Sequence, residues 1–294
     1  RWGANGEHEA EFSAPTILSI PTWIFRGFTN VSKEETSGMV FTVLGGDNTG
    51  GIIWHPSVLA AASEYGMYLS KDNMLITQET GDPRPDPAAL LTPLSEEYIA
   101  GLRDYSVEEM RQRAVTGDDR CWSAQGLLDS VLPGHGGEIA PVIGFGISQD
   151  RDSAPAIVSP HGFSVEWLRL AEDHVVGRHL CPDIQVIMVF KGQLEVTWNE
   201  AGEEVSVIAP ERSVISVPAN SWRRYRAVDG KTEFILTTRG DQRKRLYWDE
   251  AILQQAREHN RCLDPDGYVA DADILPATAR RAGAILETCN SNKT

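Results

Sequence analysis

The chain has 294 residues, 41% apolar and 23% charged, with 27 basic against 42 acidic side chains for a net charge of −15. That length fits one large sheet protein or two ordinary modules, with a core big enough to need no disulfide staples. No Lys/Arg run interrupts the acidic surplus and no apolar run approaches the roughly 20 residues of a membrane span, so neither nucleic acid nor membrane is an expected partner.

Cys121, Cys181, Cys262 and Cys289 lie far apart without a CxxC pair. That spacing excludes a structural zinc knuckle and fits a reducing, cytoplasmic compartment. The first residue is Arg1 and no leader-like segment precedes the first strand pattern, so the expectation is a sequence that begins mid-protein.

Self-similarity organises the rest. Residues 2–21 carry Gly6-Glu7-His8, Ser13-Ala14-Pro15 and Ile17-Leu18-Ser19-Ile20-Pro21. Residues 198–218 carry Gly202-Glu203-Glu204, Ile208-Ala209-Pro210 and Val214-Ile215-Ser216-Val217-Pro218. Five residues past each proline stands an arginine, Arg26 and Arg223, flanked by aromatics Phe25 and Phe28 or Trp222 and Tyr225. Residues 41–44 read as the strand counterpart of 234–238, and the glycine-rich stretch 45–51 reads as a turn, lacking the Lys-Ser/Thr of a phosphate loop. Residues 47–72 then match 241–266 without a gap, pairing Trp54 with Trp248, Leu59 with Leu253 and Ala62 with Ala256.

Between the repeats, residues 78–93 are rich in Pro, Asp and Gly and read as a linker. Residues 95–114 read as helical, with a capping box at Ser106 and Glu109. Strand signals follow at 140–147, 163–170, 184–190, 192–197, 204–208, 212–217 and 234–238, the spacing of an all-β barrel or sandwich. A helix is expected over 249–259, with Ile252, Leu253 and Ala256 on one face. The expected organisation is an incomplete N-terminal module at 1–77, a linker and helical crossing at 78–137, a complete module at 138–275 and a tail at 276–294. The first module lacks the strands that precede Gly192 in the second, and an open sheet edge is an aggregation hazard. A second protein chain, or residues outside this sequence, is therefore expected to complete it.

Residues 177–192 place Gly177, His179, Cys181, Gln185 and Gly192 where the cupin family has a glycine, a His-x-His pair, a glutamate and a second glycine. Pro218-Ala219-Asn220-Ser221-Trp222-Arg223 resembles the second cupin signature, with Arg223 at the position of its histidine; Pro21 to Arg26 repeats the substitution with Arg26. The resemblance implies a mainly β bicupin, built of small antiparallel β-barrel or jelly-roll modules with short peripheral helices. Residues two apart on a strand share a face, so a His-x-His pair points inward and, with the glutamate and a further histidine, forms an N/O site for Fe(II) or Mn(II). Here His179 keeps the first position, Cys181 offers a thiol, Gln185 a neutral oxygen, and Arg223 no lone pair. A fixed guanidinium about 4 Å from a dication would cost on the order of 8 kcal/mol at an effective dielectric near 20.

The segments Gly45-Gly46-Asp47 leading to Trp54, Gly240-Asp241 leading to Trp248, and residues 163–169 resemble the large subunit of two-component hydroquinone 1,2-dioxygenases, ring-cleaving enzymes that pair two chains and use non-haem Fe(II). The resemblance implies His179, Cys181 and Gln185 as the metal-ligand positions; in a metal-free enzyme His179 would move protons and Arg223 polarise a bound oxyanion as catalytic residues, and Trp167, Arg169, Trp222 and Arg26 are candidate binders of a small aromatic or anionic ligand. Three readings stay open: an iron-dependent oxidoreductase with a degenerate site, a metal-free isomerase, cyclase or lyase, and a non-catalytic binding or scaffold subunit. Plain structural roles stand beside them: a strand histidine, core tryptophans, and arginines paired with Glu195 or Glu204.

Overall fold

The computed structural model describes residues 1–33, 38–46, 52–79, 83–200 and 202–285. The chain divides into two compact units, Arg1–Ala114 and Val115–Thr294. In chain order the elements of the first are β1 (Thr16–Leu18), α1 (Pro56–Glu64), β2 (Met67–Leu69), β3 (Leu75–Thr77), α2 (Glu96–Ala100) and α3 (Val107–Arg111), with β4 (Ala114–Thr116) at the boundary. The helix expected over 95–114 is thus two short helices. Gly101 caps the first, and Ser106 with Glu109 starts the second through the expected reciprocal capping box.

The second unit holds β5 (Glu138–Ile143), β6 (Phe163–Leu170), β7 (Val175–Cys181), β8 (Gln185–Glu200), β9 (Glu203–Ala209), β10 (Val214–Val217), β11 (Ser221–Arg239), β12 (Tyr247–Trp248), α4 (Glu250–Glu258), β13 (Arg261–Leu263), β14 (Val269–Asp271) and α5 (Ala277–Ala284). Strand is 35% of the structure against 14% helix, so the protein is mainly β with short helices, as expected.

The repeat reappears in three dimensions. α1, β2 and β3 recur as α4, β13 and β14 at a constant displacement of 194 residues, each a capped helix followed by a short antiparallel hairpin. The bridge between Trp2 and Arg26 recurs as the pairing of Trp198 with Arg223. The equivalence does not extend to residues 38–46, which form no strand although their counterpart lies in β11. In the second unit that counterpart is held between β6 and β8, and the described part of the first unit offers no such neighbours. The glycine-rich turn from residue 47 to 51 and the end of the tail with Cys289 lie outside the described residues.

Two long strands, β8 and β11, form the spine of an eight-stranded antiparallel sheet. One half of this ribbon pairs with β10 on one side and β6, then β5, on the other; the other half pairs with β9 and with β7, then β12. The ribbon breaks register between Val228 and Glu233, and Gly192 sits opposite at φ 82, where an added Cβ would lie 2.5 Å from the Lys231 carbonyl. Only glycine fits there. The strands expected separately at 184–190 and 192–197 are therefore one strand bent at Gly192. Both arms contribute to one core, in which Leu168, Leu170, Val176, Ile187, Val196, Tyr225, Phe234 and Leu236 are at most 1% exposed. The sheet curls around this core with β5, β9, β10 and β12 as ends, so the hydrogen-bonded ring is open where closure was the simplest expectation.

Phe234 is fully buried and meets the Tyr225 ring edge-on at 5.7 Å between centroids. Phe234→Ala is expected to cost about 3–5 kcal/mol of stability through lost burial and a residual cavity. Urea unfolding of the full chain measures it, and a loss under about 1 kcal/mol would show the site collapsing around the smaller side chain.

Candidate functional site

Alternation along the strands decides which side chains enter the curled sheet. His179 and Cys181 share the inner face of β7, Gln185 opens β8, and Arg223 and Tyr225 lie on β11 with Arg223 directly opposite His179. All five are fully buried or 1% exposed. The residues at the cupin signature positions are thus brought together.

Arg223 is the hub. Its Nη1 donates to Gln185 Oε1 at 2.6 Å, Nη2 to the carbonyls of Pro218 and Cys181 at 2.6 and 3.2 Å, and Nε to the Ser221 carbonyl at 3.0 Å. Gln185 Oε1 also accepts from the Tyr225 hydroxyl at 2.9 Å, while its amide donates to Thr238 Oγ1 at 3.1 Å. Four of the five guanidinium N–H groups therefore end on neutral protein oxygens. Of the acids weighed as partners for Arg223, Glu195 accepts from Arg226 at 2.7 Å, and Glu204 lines a pocket of about 40 Å³ together with Arg178, Arg223 and Arg224.

His179 donates from Nδ1 to the Gly177 carbonyl at 2.8 Å, leaving Nε2 as a buried lone pair without a hydrogen-bond partner. Its ring lies 5.4 Å from those of Tyr225 and Trp248. Burial, with Arg223 adding to it, pushes its pKa down to about 3, so the ring is neutral. Burial likewise raises the Cys181 thiol and the Tyr225 phenol, keeping both protonated near neutrality.

Glu166 was missed by the sequence reading. It follows the inward alternation of Leu168 and Leu170 on β6, is fully buried, and is pushed up to about 8 by burial. Its Oε1 accepts from the Ile147 and Ser148 amides at 2.7 and 3.2 Å, while Oε2 has no hydrogen-bond partner. Gly146 makes room for it: a Cβ there would fall 2.0 Å from the carboxyl carbon.

Of the proposed ligand binders, Trp222 lines the same small pocket as Arg223, and the others lie elsewhere. Trp167 and Arg169 alternate outward from Glu166; Trp167 packs edge-on against Phe190 and under Arg120, and Arg169 stacks on Trp122 while forking onto Glu138 at 2.6 and 2.9 Å. These are the packing and ion-pair alternatives, because period-two alternation puts Trp167 on the opposite face from Glu166. Trp222 is also out of phase with Arg223 and lies under Arg178. Arg26 belongs to the first unit, is exposed, and donates to the Ile24 carbonyl at 3.3 Å.

The buried set does not fit a tightly held Fe(II). His179 Nε2 is a suitable donor with its other nitrogen anchored on a carbonyl. The rest fails: Gln185 Oε1 is spent on Arg223 and Tyr225, and a permanent cation stands at the fourth position. Among the described residues, His179 belongs to no group of three convergent His, Cys, Asp or Glu donors.

The two buried groups predict a pH signature. Glu166 rises from its ordinary 4.5 to about 8, so between those values the folded state keeps a proton the unfolded chain has lost, and stability falls as pH rises. His179 falls from 6.5 to about 3, so stability falls as pH drops below 6.5. The slopes oppose each other between pH 4.5 and 6.5, leaving the window from 6.5 to 8 to Glu166. Stability is expected to decline there by about 1 kcal/mol per pH unit, and Glu166→Gln to remove the decline. Urea midpoints across that window decide it; equal slopes in both proteins would place the proton elsewhere.

No protein-family model and no curated protein matches the chain. Among solved structures it is similar to a variant of oxalate decarboxylase from Bacillus subtilis, at 18% identity and a TM-score of 0.30, over 36% of this chain and 26% of that one. It is also similar to vicilin from Corylus avellana, hazelnut, at 13% identity and a TM-score of 0.31, over 38% of this chain and 31% of that one. A vicilin from Solanum lycopersicum, tomato, gives 21% identity and a TM-score of 0.28 over 30% and 26% of the two chains. The chain thus spans about a quarter to a third of these neighbours' lengths. These neighbours are cupin proteins. Scores of 0.28 to 0.31 over so little of either chain carry no assignment of activity.

Proposed function

We propose that the chain is a cupin-type binding and scaffolding subunit whose curled sheet carries the guanidinium of Arg223 where a cupin metal centre would lie. The observation that supports this is the set of four hydrogen bonds from Arg223 to Gln185 Oε1 and three carbonyls, which fixes a permanent cation among the signature residues. The Fe(II) ring-cleaving dioxygenase chemistry implied by the resemblance lacks its ligand set here, and no step is derived through iron. Purified protein, reconstituted anaerobically with Fe(II) or Mn(II), is expected to retain no stoichiometric metal in the barrel. Arg223→Gln is expected to destabilise the fold by about 2–3 kcal/mol, as it strips charge-assisted donors from buried oxygens. Stoichiometric iron in the wild type, abolished by His179→Ala, would overturn the proposal and restore the dioxygenase reading.

A second reading has its own observation. Glu166 is an acid kept neutral and His179 a base kept neutral, each with one unpartnered buried atom. Two groups with pKa values pushed apart are the signature of acid–base chemistry, here that of a metal-free isomerase, cyclase or lyase acting on a small aromatic or anionic molecule. Turnover of such a substrate by metal-free protein, lost in both Glu166→Gln and His179→Gln, would favour it.

The scaffolding role implies a partner. Trp248, Ile252, Leu253 and Ala256 on and before α4 are 0–8% exposed in the barrel core, whereas their counterparts around α1 include Trp54 at 43% and Val58 at 46%, and α1 buries no residue. The same helix–hairpin design is therefore left without the barrel that its copy packs on. A second polypeptide supplying strands equivalent to β5–β8 is the cover this asymmetry calls for. Hydrogen exchange of the chain alone is expected to be faster over residues 52–77 than over 246–271, and to slow when the partner subunit is bound. Equal protection of the two segments in a monomer would remove the need for one.

A further inference from the structure

Apart from the barrel, the described residues contain one place where a histidine and two carboxylates converge. His8, Glu7 and Asp104, all in the first unit, present ligand atoms that lie within 4.8 Å of one another. They come from a hairpin at residues 2–8 and from the loop before α3, so the grouping is made by tertiary structure and not by adjacency along one helix. Trp2 ties these segments together. It exchanges backbone hydrogen bonds with His8 at 3.0 and 3.1 Å, donates from Nε1 to the Tyr105 carbonyl at 2.7 Å, and stacks on the His8 ring at 29°.

Each donor is also aimed. His8 Nε2 meets Asp104 Oδ1 at 2.8 Å, and that oxygen accepts from the Tyr105 amide at 2.9 Å. Glu7 Oε2 accepts from the Asn5 amide at 2.8 Å and folds back over Gly3, where a Cβ would fall 2.5 Å from the same oxygen at φ 111. The φ of 111 at residue 3 favours glycine, whose missing side chain leaves room for the Glu7 carboxylate in this position. The nearest arginines in sequence look away, Arg1 to Glu9 at 2.9 Å and Arg103 to Glu109 at 3.1 Å. Among the described residues no Lys or Arg neutralises Glu7 or Asp104, so two negative charges flank an imidazole without a fixed cation.

We propose that His8, Glu7 and Asp104 form a divalent-metal site, separate from the barrel and independent of the function proposed for it. One imidazole and two carboxylates suit a first-row ion such as Zn(II), Mn(II) or Co(II) better than Mg(II) or Ca(II), and three protein ligands leave positions for water. Coordination uses the Nε2 lone pair, so the hydrogen bond between His8 and Asp104 is exchanged for two bonds to the ion, and any proton on Nε2 leaves that atom for Nδ1 or solvent. The second repeat has Gly202-Glu203-Glu204 in the equivalent stretch, without a histidine, so the site belongs to the first unit alone.

Titration of the full chain with Co(II) and Zn(II), followed by calorimetry, visible absorption and tryptophan fluorescence, tests it. One saturable site is expected, with Co(II) bands free of thiolate charge transfer and with quenching of the stacked Trp2. His8→Ala and Asp104→Asn are each expected to weaken binding at least 10-fold, while His259→Ala, at an exposed histidine of the second unit, leaves it unchanged; far-UV circular dichroism confirms folding of each variant. Unchanged affinity in the folded Asp104→Asn protein, a thiolate spectrum, or no saturable binding up to millimolar metal would each overturn the assignment.

Discussion

A guanidinium cannot shed its proton to escape burial, so Arg223, 1% exposed inside the curled sheet, must be solvated by the fold itself. Its four acceptors come from the end of β7, the start of β8, the turn at Pro218 and the first residue of β11. One side chain thereby fixes the mutual position of the segments that a metal ion would otherwise tie together. The arrangement also dictates its neighbours. Gln185 is neutral where a glutamate would carry charge, and its oxygen is shared by Arg223 and Tyr225, so the amide is held in one orientation by three partners. No carboxylate approaches within ion-pair distance of Arg223 among the described residues, and the site keeps its full positive charge.

Desolvation keeps His179, Glu166, Cys181 and Tyr225 neutral, and the Arg223 charge adds to it only at His179. His179 faces both desolvation and the Arg223 field, and both act against a second proton. Glu166 sits deeper on β6, where desolvation outweighs two amide hydrogen bonds and keeps the carboxyl protonated. The fold accommodates it by having no side chain at Gly146, whose φ of 54 also turns the chain so that the next two amides point at the carboxyl. A residue so costly to bury, with a glycine cut to fit it, is hard to explain by packing alone.

Much of this was legible in the sequence. Strand ends followed from Pro and Gly, the helix at α4 from its apolar spacing, and the inward pairing of His179 with Cys181 from period-two alternation. The same alternation contained what was overlooked. On β6 it puts Glu166 in phase with Leu168 and Leu170, and Trp167 and Arg169 on the opposite face. The bend at Gly192, which joins two expected strands into one, was not legible, because a glycine between apolar runs reads equally as a turn. The direction of Arg223 and the identity of its acceptors depend on contacts from residues 181 to 221, which no local pattern specifies.

The repeat carries the clearest lesson about what sequence does and does not determine. α1 and α4 start and stop at equivalent residues and lead into equivalent hairpins, so local signals suffice to build the element twice. Their burial differs completely, because burial is supplied by strands that lie before β8 in one copy and are not among the described residues of the other. Trp248 pairs with His179 on β7 and donates to Gln149 at 3.1 Å, contacts made with residues 99 or fewer positions upstream. Trp54 has the same chemistry and the same position in its unit but meets no such strand among the described residues, and is 43% exposed. Among the described residues of the first unit α1 buries no residue, so the element forms with its apolar side chains largely uncovered. The metal-like triad at His8 lies on the differing side of the repeat, where Glu204 replaces the histidine. The two units therefore share a scaffold and diverge where a scaffold acquires chemistry.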